Sequence, residues 1–386
     1  MTKNSRYDRY NDMLSRLWGK GYAMIDSVSY SQMRIMETAQ SFRRLNSIYE
    51  DSAGTDDVVG AQLSEVAELL EEAAGVGIRA VTADAGTGRA IKRAAASVGV
   101  RVESVMFFRK RSGATELSVI ARATRHGCVK AAELAAVLTL HLGKEYIPSK
   151  GGRGVITDKP NEFIFEEAPV FFTLFGHASV SKDEDIVSGD SYTYLSGCGG
   201  KTYVALADGM GSGNVARRTS GDAVELFEQF AQTGFGENTA FRLINAAFSS
   251  RNDDNPVTLD CVGLDLVTGD CRIVKLGAAS SFVRQKESVT IIRPSSLPAG
   301  VLAEAKPDMQ EIKLTDKSYV VLVSDGVLDA LPFYDKELQF AKILESLEEE
   351  NPKVMAERLM EEVLFYPRDK YRDDMTVLVL GIWKNR

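Results

Sequence analysis

Short apolar runs that end or begin at an aspartate set the strongest constraint on this chain. Tyr203-Val204-Ala205-Leu206-Ala207 runs into Asp208-Gly209-Met210-Gly211-Ser212-Gly213, and Tyr319-Val320-Val321-Leu322-Val323-Ser324 runs into Asp325-Gly326. Gly189-Asp190 precedes a strand beginning near Tyr192, and Asp373-Asp374-Met375 precedes another from Thr376 to Leu380. Apolar runs bounded by turn residues read as buried strands. Two of the acidic groups follow a strand and two precede one. In an antiparallel sheet the end of one strand and the start of its neighbour share a rim, so all four groups can meet at one edge.

Carboxylates crowded at one rim repel one another unless a cation sits between them. Lys and Arg are absent from these motifs. The natural partners are hard divalent ions on oxygen ligands, Mg²⁺ or Mn²⁺. Glycine after Asp208 and after Asp325 lets the backbone turn sharply, so that a carbonyl can approach an ion. Two ions about 4 Å apart would activate a water and polarise a phosphoryl group. A single Asp-Gly after a strand is ordinary turn chemistry. The ordered set, each member beside an apolar strand, is harder to explain that way. A dinucleotide loop at Gly209 to Gly213 has the wrong glycine spacing and no βαβ surroundings.

Around these motifs, residues 169–386 alternate strands and helices. Strands are expected at Thr202 to Ala207, Thr258 to Val267, Cys271 to Ala278, Ser281 to Arg284, Val289 to Ile292, Tyr319 to Val323 and Thr376 to Ile382. Thr268-Gly269-Asp270 and Lys286-Glu287-Ser288 read as hairpin turns, so much of the sheet is expected to be antiparallel. Helices are expected at Val215 to Gln232, Asn238 to Ser250, Asp335 to Leu347 and Pro352 to Phe365, the last with Asn351 as N-cap. Segregated sheets and helices indicate an α+β fold. Residues 76–168 read as a small α/β module: a helix at Arg89 to Ser97, strands at Val100 to Phe108 and Glu116 to Ala123, and a helix at Val129 to Leu142. Ala85-Gly86-Thr87-Gly88 lacks the Lys-Ser/Thr ending of a phosphate loop and reads as a turn. Residues 1–75 read as helices with apolar stripes, Val28, Ile35, Phe42 and Tyr49 recurring every seven residues and Val59, Leu63, Val66, Leu70 and Ala73 at helical spacing. Such stripes pack within the chain or form a homodimer, and no catalytic constellation accompanies them, so a regulatory role is expected.

The formal net charge of -8, from 46 Lys+Arg against 54 Asp+Glu, argues against a general nucleic-acid or anionic-membrane binder. The four cysteines show no zinc spacing with His126, His141 or His177 and are too sparse for a disulfide framework. No signal peptide is evident at the start, and the apolar stretch Ala131 to Leu142 is too short to cross a bilayer. A cytoplasmic chain is the expectation.

The set Asp208-Gly-Met-Gly-Ser-Gly, Thr258-Leu259-Asp260, Leu297-Pro298-Ala299-Gly300, Val323-Ser324-Asp325-Gly326 and Asp373-Asp374-Met375-Thr376 resembles the stage II sporulation protein E family, a bacterial branch of the type 2C metal-dependent serine/threonine protein phosphatases. The resemblance covers about residues 169–386 with specific motifs and extends more loosely through the module and the helical start. It implies an αββα sandwich with two catalytic Mn²⁺ or Mg²⁺ ions. It also implies dephosphorylation of a phosphoserine or phosphothreonine on an anti-sigma factor antagonist, releasing a sporulation sigma factor at asymmetric division. Members associate with the tubulin-like division protein. Full-length members carry a multi-spanning membrane region that this sequence does not contain, which implies either a soluble portion of a longer, membrane- or septum-tethered protein or a membrane-free relative.

Carried over residue by residue, Asp208 is expected to bridge both ions and the Gly209 carbonyl to reach one of them. Asp325 and Asp373 hold the other, and Asp190 contributes through water. For Asp374 a metal role and solvent exposure are evenly balanced. No general acid stands out. His177 lies thirteen residues before Asp190, and a lone histidine before a strand is more often structural. Arg217 and Arg218 follow the glycine loop on a helix and are candidates for phosphate contact, although exposed helical arginines are commoner. Cys198, between Gly197 and Gly199, lacks a histidine partner and reads as a turn thiol. Two other functions compete with the protein phosphatase: an interaction scaffold on a phosphatase fold, and a hydrolase of small phosphate esters.

Overall fold

The computed structural model describes residues 66–67 and 79–385, apart from 82–84, 110–113, 125–126, 150–151, 183–187, 199, 211–212, 233–234, 250–254, 287, 303–304 and 367–372. The apolar stripes at 28–49 and 59–73, and the homodimer they suggest, lie outside the described residues except for Val66 and Ala67, which are helical. The elements below belong to the compact unit Gly77–Arg386. Among the described residues no helix is long and apolar enough to cross a membrane.

The first part of this unit contains β1 (Arg79–Val81), α1 (Ala85–Ser97), β2 (Val100–Arg109), β3 (Thr115–Ala123), β4 (Val129–Lys130), α2 (Ala131–Leu142), β5 (Tyr146–Pro148), β6 (Val155–Ile156) and β7 (Asn161–Glu167). Five strands form one sheet in the order β1-β2-β3-β7-β5. Ile91 and Ala95 of α1 and Leu134 and Leu138 of α2 share a core with Leu117, Val119, Phe163 and Phe165. Ala85 to Gly88 is the first turn of α1, not the isolated turn expected. Each glycine costs a helix about 1 kcal/mol. Burial of Ile91 downstream contributes about 2–3 kcal/mol and carries the helix through.

After residue 168 the chain enters two further sheets. Their elements are β8 (Phe171–Val180), β9 (Asp190–Cys198), β10 (Lys201–Gly209), α3 (Asn214–Gln232), α4 (Glu237–Ser249), β11 (Val257–Asp265), β12 (Asp270–Leu276), β13 (Ser281–Gln285), β14 (Ser288–Ile292), β15 (Asp308–Lys313), β16 (Ser318–Val323), α5 (Asp325–Asp329), α6 (Lys336–Ser346), α7 (Pro352–Leu364) and β17 (Met375–Lys384). One sheet runs β15-β12-β11-β10-β9 and the other β14-β13-β16-β17-β8, every neighbouring pair antiparallel.

Alternation along the strands builds four layers. Val204, Leu206, Val262, Leu264 and Ile273 of the first sheet meet Val283, Val320, Leu322, Leu378 and Leu380 of the second in one core. The opposite parity on β10 and β11, Tyr203, Ala205, Leu259 and Cys261, packs under α3 and α4 with Phe227, Phe241 and Ile244. On the second sheet Val321, Val323, Val377 and Val379 pack under α5, α6 and α7 with Val327, Phe340, Met355 and Leu359. The result is the expected αββα sandwich, with period-two strands buried on both faces.

The helices press closely on the strands. A Cβ built on Gly176 of β8 would stand 2.3 Å from the Pro352 carbonyl at the start of α7. Gly176→Ala is therefore expected to cost about 2–3 kcal/mol, since the clash is with backbone that has no rotamer to change. A urea melt checks this, and an unchanged midpoint would contradict the packing.

Candidate active site

Pairing and packing bring the four acidic groups to one end of the sandwich. Asp208, near the end of β10, stands directly opposite Asp190, the first residue of β9. Cross-strand partners point to the same face, and the parity Val204-Leu206-Asp208 makes that face the inter-sheet one. From the other sheet, β16 ends at Val323 and leads through Ser324 into Asp325, the first residue of α5. Asp373 and Asp374 precede β17, which is locked to β16 by Ser324 N donating to the Thr376 carbonyl (3.0 Å) and Thr376 N to Ser324 Oγ (2.9 Å). The sequence placed all four groups on the edge of a single sheet. They occupy the edges of two, with Asp190 and Asp208 facing Asp325 and Asp373.

Both motif glycines are required by close approach. A Cβ on Gly209 would fall 2.2 Å from the Ala216 carbonyl of α3, and one on Gly326 would fall 2.1 Å from the Asp374 carbonyl. The Gly209 carbonyl lies at the rim, 3.8 Å from where a Gly189 Cβ would be. The loop before Asp190 is tied down from several sides. Ser220 Oγ of α3 donates to the Gly189 carbonyl (2.5 Å) and Asp190 N donates to Ser188 Oγ (3.2 Å). Ser191 and Ser220 hydroxyls are 2.7 Å apart.

Electrostatics confirm the crowding. Asp208 is pushed up to about 8, first by burial and then by the charges of Asp190, Asp325 and Asp373 and a hydrogen bond shared with Asp325. Asp190 is pushed up to about 6, again first by burial, with Asp374 and Asp325 adding repulsion. The nearby hydroxyls of Thr376 and Ser324 draw it down, although neither makes a hydrogen bond to it. Asp325 is raised by burial, then by Asp373 and Asp329, and is held back by the Gly326 amide. Both oxygens of the buried Asp190 carboxylate lack a hydrogen-bond partner. A buried carboxylate with neither oxygen satisfied is costly unless something cationic meets it.

The donor set fits a hard divalent ion in kind, being all oxygen, anionic and partly orphaned. Among the described residues no three such side chains converge as a ready ligand group, so waters and the Gly209 carbonyl would complete the shell of an ion held here. Beside Asp208 and Asp325 lies a cavity of about 30 Å³, lined also by Thr258, Asp260 and Ser324.

The remaining candidates divide clearly. Asp374 is half-buried beside the rim, with both oxygens taken up by backbone amides. Its Oδ1 accepts from Lys182 N (2.8 Å) and its Oδ2 from Gly189 N (2.6 Å), clamping both ends of the loop before Asp190. Arg217 on α3 donates from Nη1 to the Asp190 carbonyl (2.5 Å) and so holds a rim residue in place. Arg218 is exposed on the same helix. His177 on β8 packs against the Tyr192 ring (centroids 5.0 Å apart) beside Phe175 and Tyr194. Cys198 pairs with Lys201 at the far end of β9, a whole strand away from the rim. Sequence reasoning missed the roles of Ser188, Ser220, Ser324 and Thr376, whose hydrogen bonds hold the acidic loops. Their one available signal was position, each lying within two residues of an aspartate or on the helix after the glycine loop.

An αββα sandwich with opposed aspartates at one end defines the class: a PP2C-type phosphatase fold. Residues 199–383 match the family model of stage II sporulation protein E (SpoIIE). The chain is 32% identical over 212 residues to stage II sporulation protein E of Priestia megaterium, covering 54% of this chain and 36% of that one. It is 26% identical over 292 residues to the Bacillus subtilis protein, covering 74% and 35%. It thus spans about a third of the length of these curated relatives. The solved PP2C phosphatase domain of Bacillus subtilis SpoIIE with a fragment of its regulatory domain superposes with a TM-score of 0.63 at 24% identity, over 91% of this chain and 98% of that one. The RsbU and RsbW domains of a Mycobacterium tuberculosis protein superpose with a TM-score of 0.50 at 16% identity, over 56% and 63%.

Asp208→Asn removes a raised, repelled carboxylate while keeping its shape. The metal-free variant is expected to melt at or above the parent, by about 2–4 °C for each kcal/mol of repulsion relieved. It should also lose most of the rise in Tm that Mn²⁺ gives the parent. A thermal melt with and without Mn²⁺ measures both, and an undiminished Mn²⁺ response would remove Asp208 from the metal set.

Proposed function

We propose that the chain is a divalent-metal-dependent protein serine/threonine phosphatase. The observation that carries this reading is the opposition of Asp190 and Asp208 on one sheet to Asp325 and Asp373 on the other, around an Asp190 carboxylate with no partner. Mn²⁺ or Mg²⁺ bound there would supply an activated water and charge stabilisation for a phosphoryl group. Asp208, central in the set, would serve both ions, and the Gly209 carbonyl would serve one of them. Asp325 and Asp373 would serve the other side, and Asp190 would hold water. Arg217 keeps Asp190 in place through its carbonyl, and Asp374 keeps the adjoining loop closed.

The match of residues 199–383 to the sporulation phosphatase family supports a protein substrate over a small ester. A phosphorylated anti-sigma factor antagonist is the substrate that the family match supports, with activation of a sporulation sigma factor as the outcome. An interaction scaffold would have no use for four carboxylates crowded at one rim, one of them buried.

Phosphate release from a phosphorylated antagonist, with and without Mn²⁺, tests this reading. Turnover is expected only with the metal and should fall by about a hundredfold or more in Asp208→Asn. Near-normal turnover by that variant would sink the assignment. Asp325→Ala and Asp373→Ala should each raise the Mn²⁺ concentration needed for half-maximal rate by about tenfold or more. Parent-like titrations for both would show that they do not share an ion.

A further inference from the structure

One polar cluster interrupts the apolar layer between the two sheets, and nothing above assigns it a role. Asp260 on β11, Lys275 on β12 and Ser281 on β13 are each at most 1% exposed. Lys275 Nζ donates to Asp260 Oδ2, to Ser281 Oγ (2.5 Å) and to the Ala279 carbonyl (2.7 Å). Ser281 Oγ in turn donates to Asp260 Oδ2 (2.5 Å). Asp260 and Lys275 are cross-strand partners on the first sheet, whereas Ser281 opens β13 of the second. The trio therefore joins the sheets.

Its place in the fold is just below the rim. Asp260 pairs with Leu206 and Thr258 with Asp208, so Asp260 lies one inward-facing step, about 7 Å, beneath Asp208. On the second sheet Ser281 precedes Phe282, which pairs with Val321, three residues before Ser324. Asp260 also lines the rim cavity, and its second oxygen, Oδ1, is buried without a partner. The turn that Lys275 pins through Ala279 supplies Gly277, Ala278 and Ala279 to the same cavity wall. That turn is held from the other side as well. Gly277 adopts φ 62° with no room for a side chain against Pro298, and Ser280 Oγ donates to Glu337 of α6.

Stability does not explain such a cluster. A buried ion pair is often no more stabilising than apolar side chains of the same volume. What it adds is direction. Apolar layers tolerate sliding, whereas three groups sharing one carboxylate oxygen fix distance and angle. The carboxylates proposed to hold an ion come two from each sheet, so the separation of the sheets at this end sets their spacing. A displacement of about 1 Å at a reacting centre can cost a hundredfold in rate.

We propose that Asp260, Lys275 and Ser281 are positioning residues that set the spacing of the two sheets at the rim, and through it the affinity of the carboxylate set for its divalent ion. This rests on the metal-dependent reading above.

The double variant Asp260→Leu/Lys275→Met removes both charges at once, so that neither is left buried alone, and Ser281→Ala removes only the arm from the second sheet. Mn²⁺ binding is followed by calorimetry on the full chain, beside a thermal melt and steady-state kinetics on the phosphoprotein at saturating Mn²⁺. The double variant is expected to melt cooperatively near the parent yet bind Mn²⁺ about tenfold more weakly or worse, with KM for the phosphoprotein little changed. Ser281→Ala should weaken Mn²⁺ binding by about threefold or more. Parent-like Mn²⁺ affinity in the double variant overturns the proposal. Should the double variant not fold, parent-like affinity in Ser281→Ala overturns it instead. A parent chain that binds no Mn²⁺ would overturn the phosphatase reading itself, a result distinct from variants that match a Mn²⁺-binding parent.

Discussion

Mutual repulsion among carboxylates at the end of the sandwich is the constraint around which the rest is arranged. Asp208 lies among the charges of Asp190, Asp325 and Asp373, and burial raises each further from its ordinary range wherever a shift is seen. Such a cluster survives only because its backbone has nowhere to go. Gly209 rests on the Ala216 carbonyl and Gly326 on the Asp374 carbonyl. Ser220 and Arg217 hold Gly189 and Asp190 by their carbonyls. The fold absorbs the repulsion in fixed hydrogen bonds and leaves it to be relieved by a cation, which is how a site comes to favour divalent ions.

The two sheets supply that rigidity from behind. Their facing layer is apolar through Val204, Leu206, Val320, Leu322, Leu378 and Leu380, and each outer face is sealed by its own helices. A PP2C-type sandwich with only one sheet's aspartates would hold half a ligand set. Division of the ligands between the layers makes inter-sheet packing part of the chemistry, and it gives the polar trio at Asp260 a reason to sit where it does.

Much of this was legible in the residues because the signals were local. Strands such as Tyr319 to Val323 are short, apolar and bounded by turn residues, and the helix from Pro352 announces itself by Asn351 and its proline. The acidic motifs were readable for the same reason, since each sits within a residue or two of a strand end. What escaped depended on distant partners. β15, Asp308–Lys313, is largely exposed and charged, and only its pairing with β12 makes it a strand. The role of Asp374 stayed open because the amides that claim it, Lys182 and Gly189, lie 192 and 185 residues away. The assignment of the four aspartates to two sheets was equally hidden, because antiparallel pairing fixes which strands adjoin only once the chain has folded. The glycine run at Ala85 to Gly88 misled in the other direction, local composition yielding to the buried face of the helix it begins.

The clamp at Asp374 also bears on how such a chain can change over time. One carboxylate grips both Lys182 and Gly189, so the ends of the intervening stretch are fixed irrespective of what lies between them. Closing a longer loop between fixed ends adds only about 0.6 kcal/mol for each doubling of its length. Residues can therefore be inserted or exchanged at 183–187 while Asp190 keeps its register opposite Asp208. Descendants of one phosphatase could diverge in sequence at these positions without rebuilding the reacting centre.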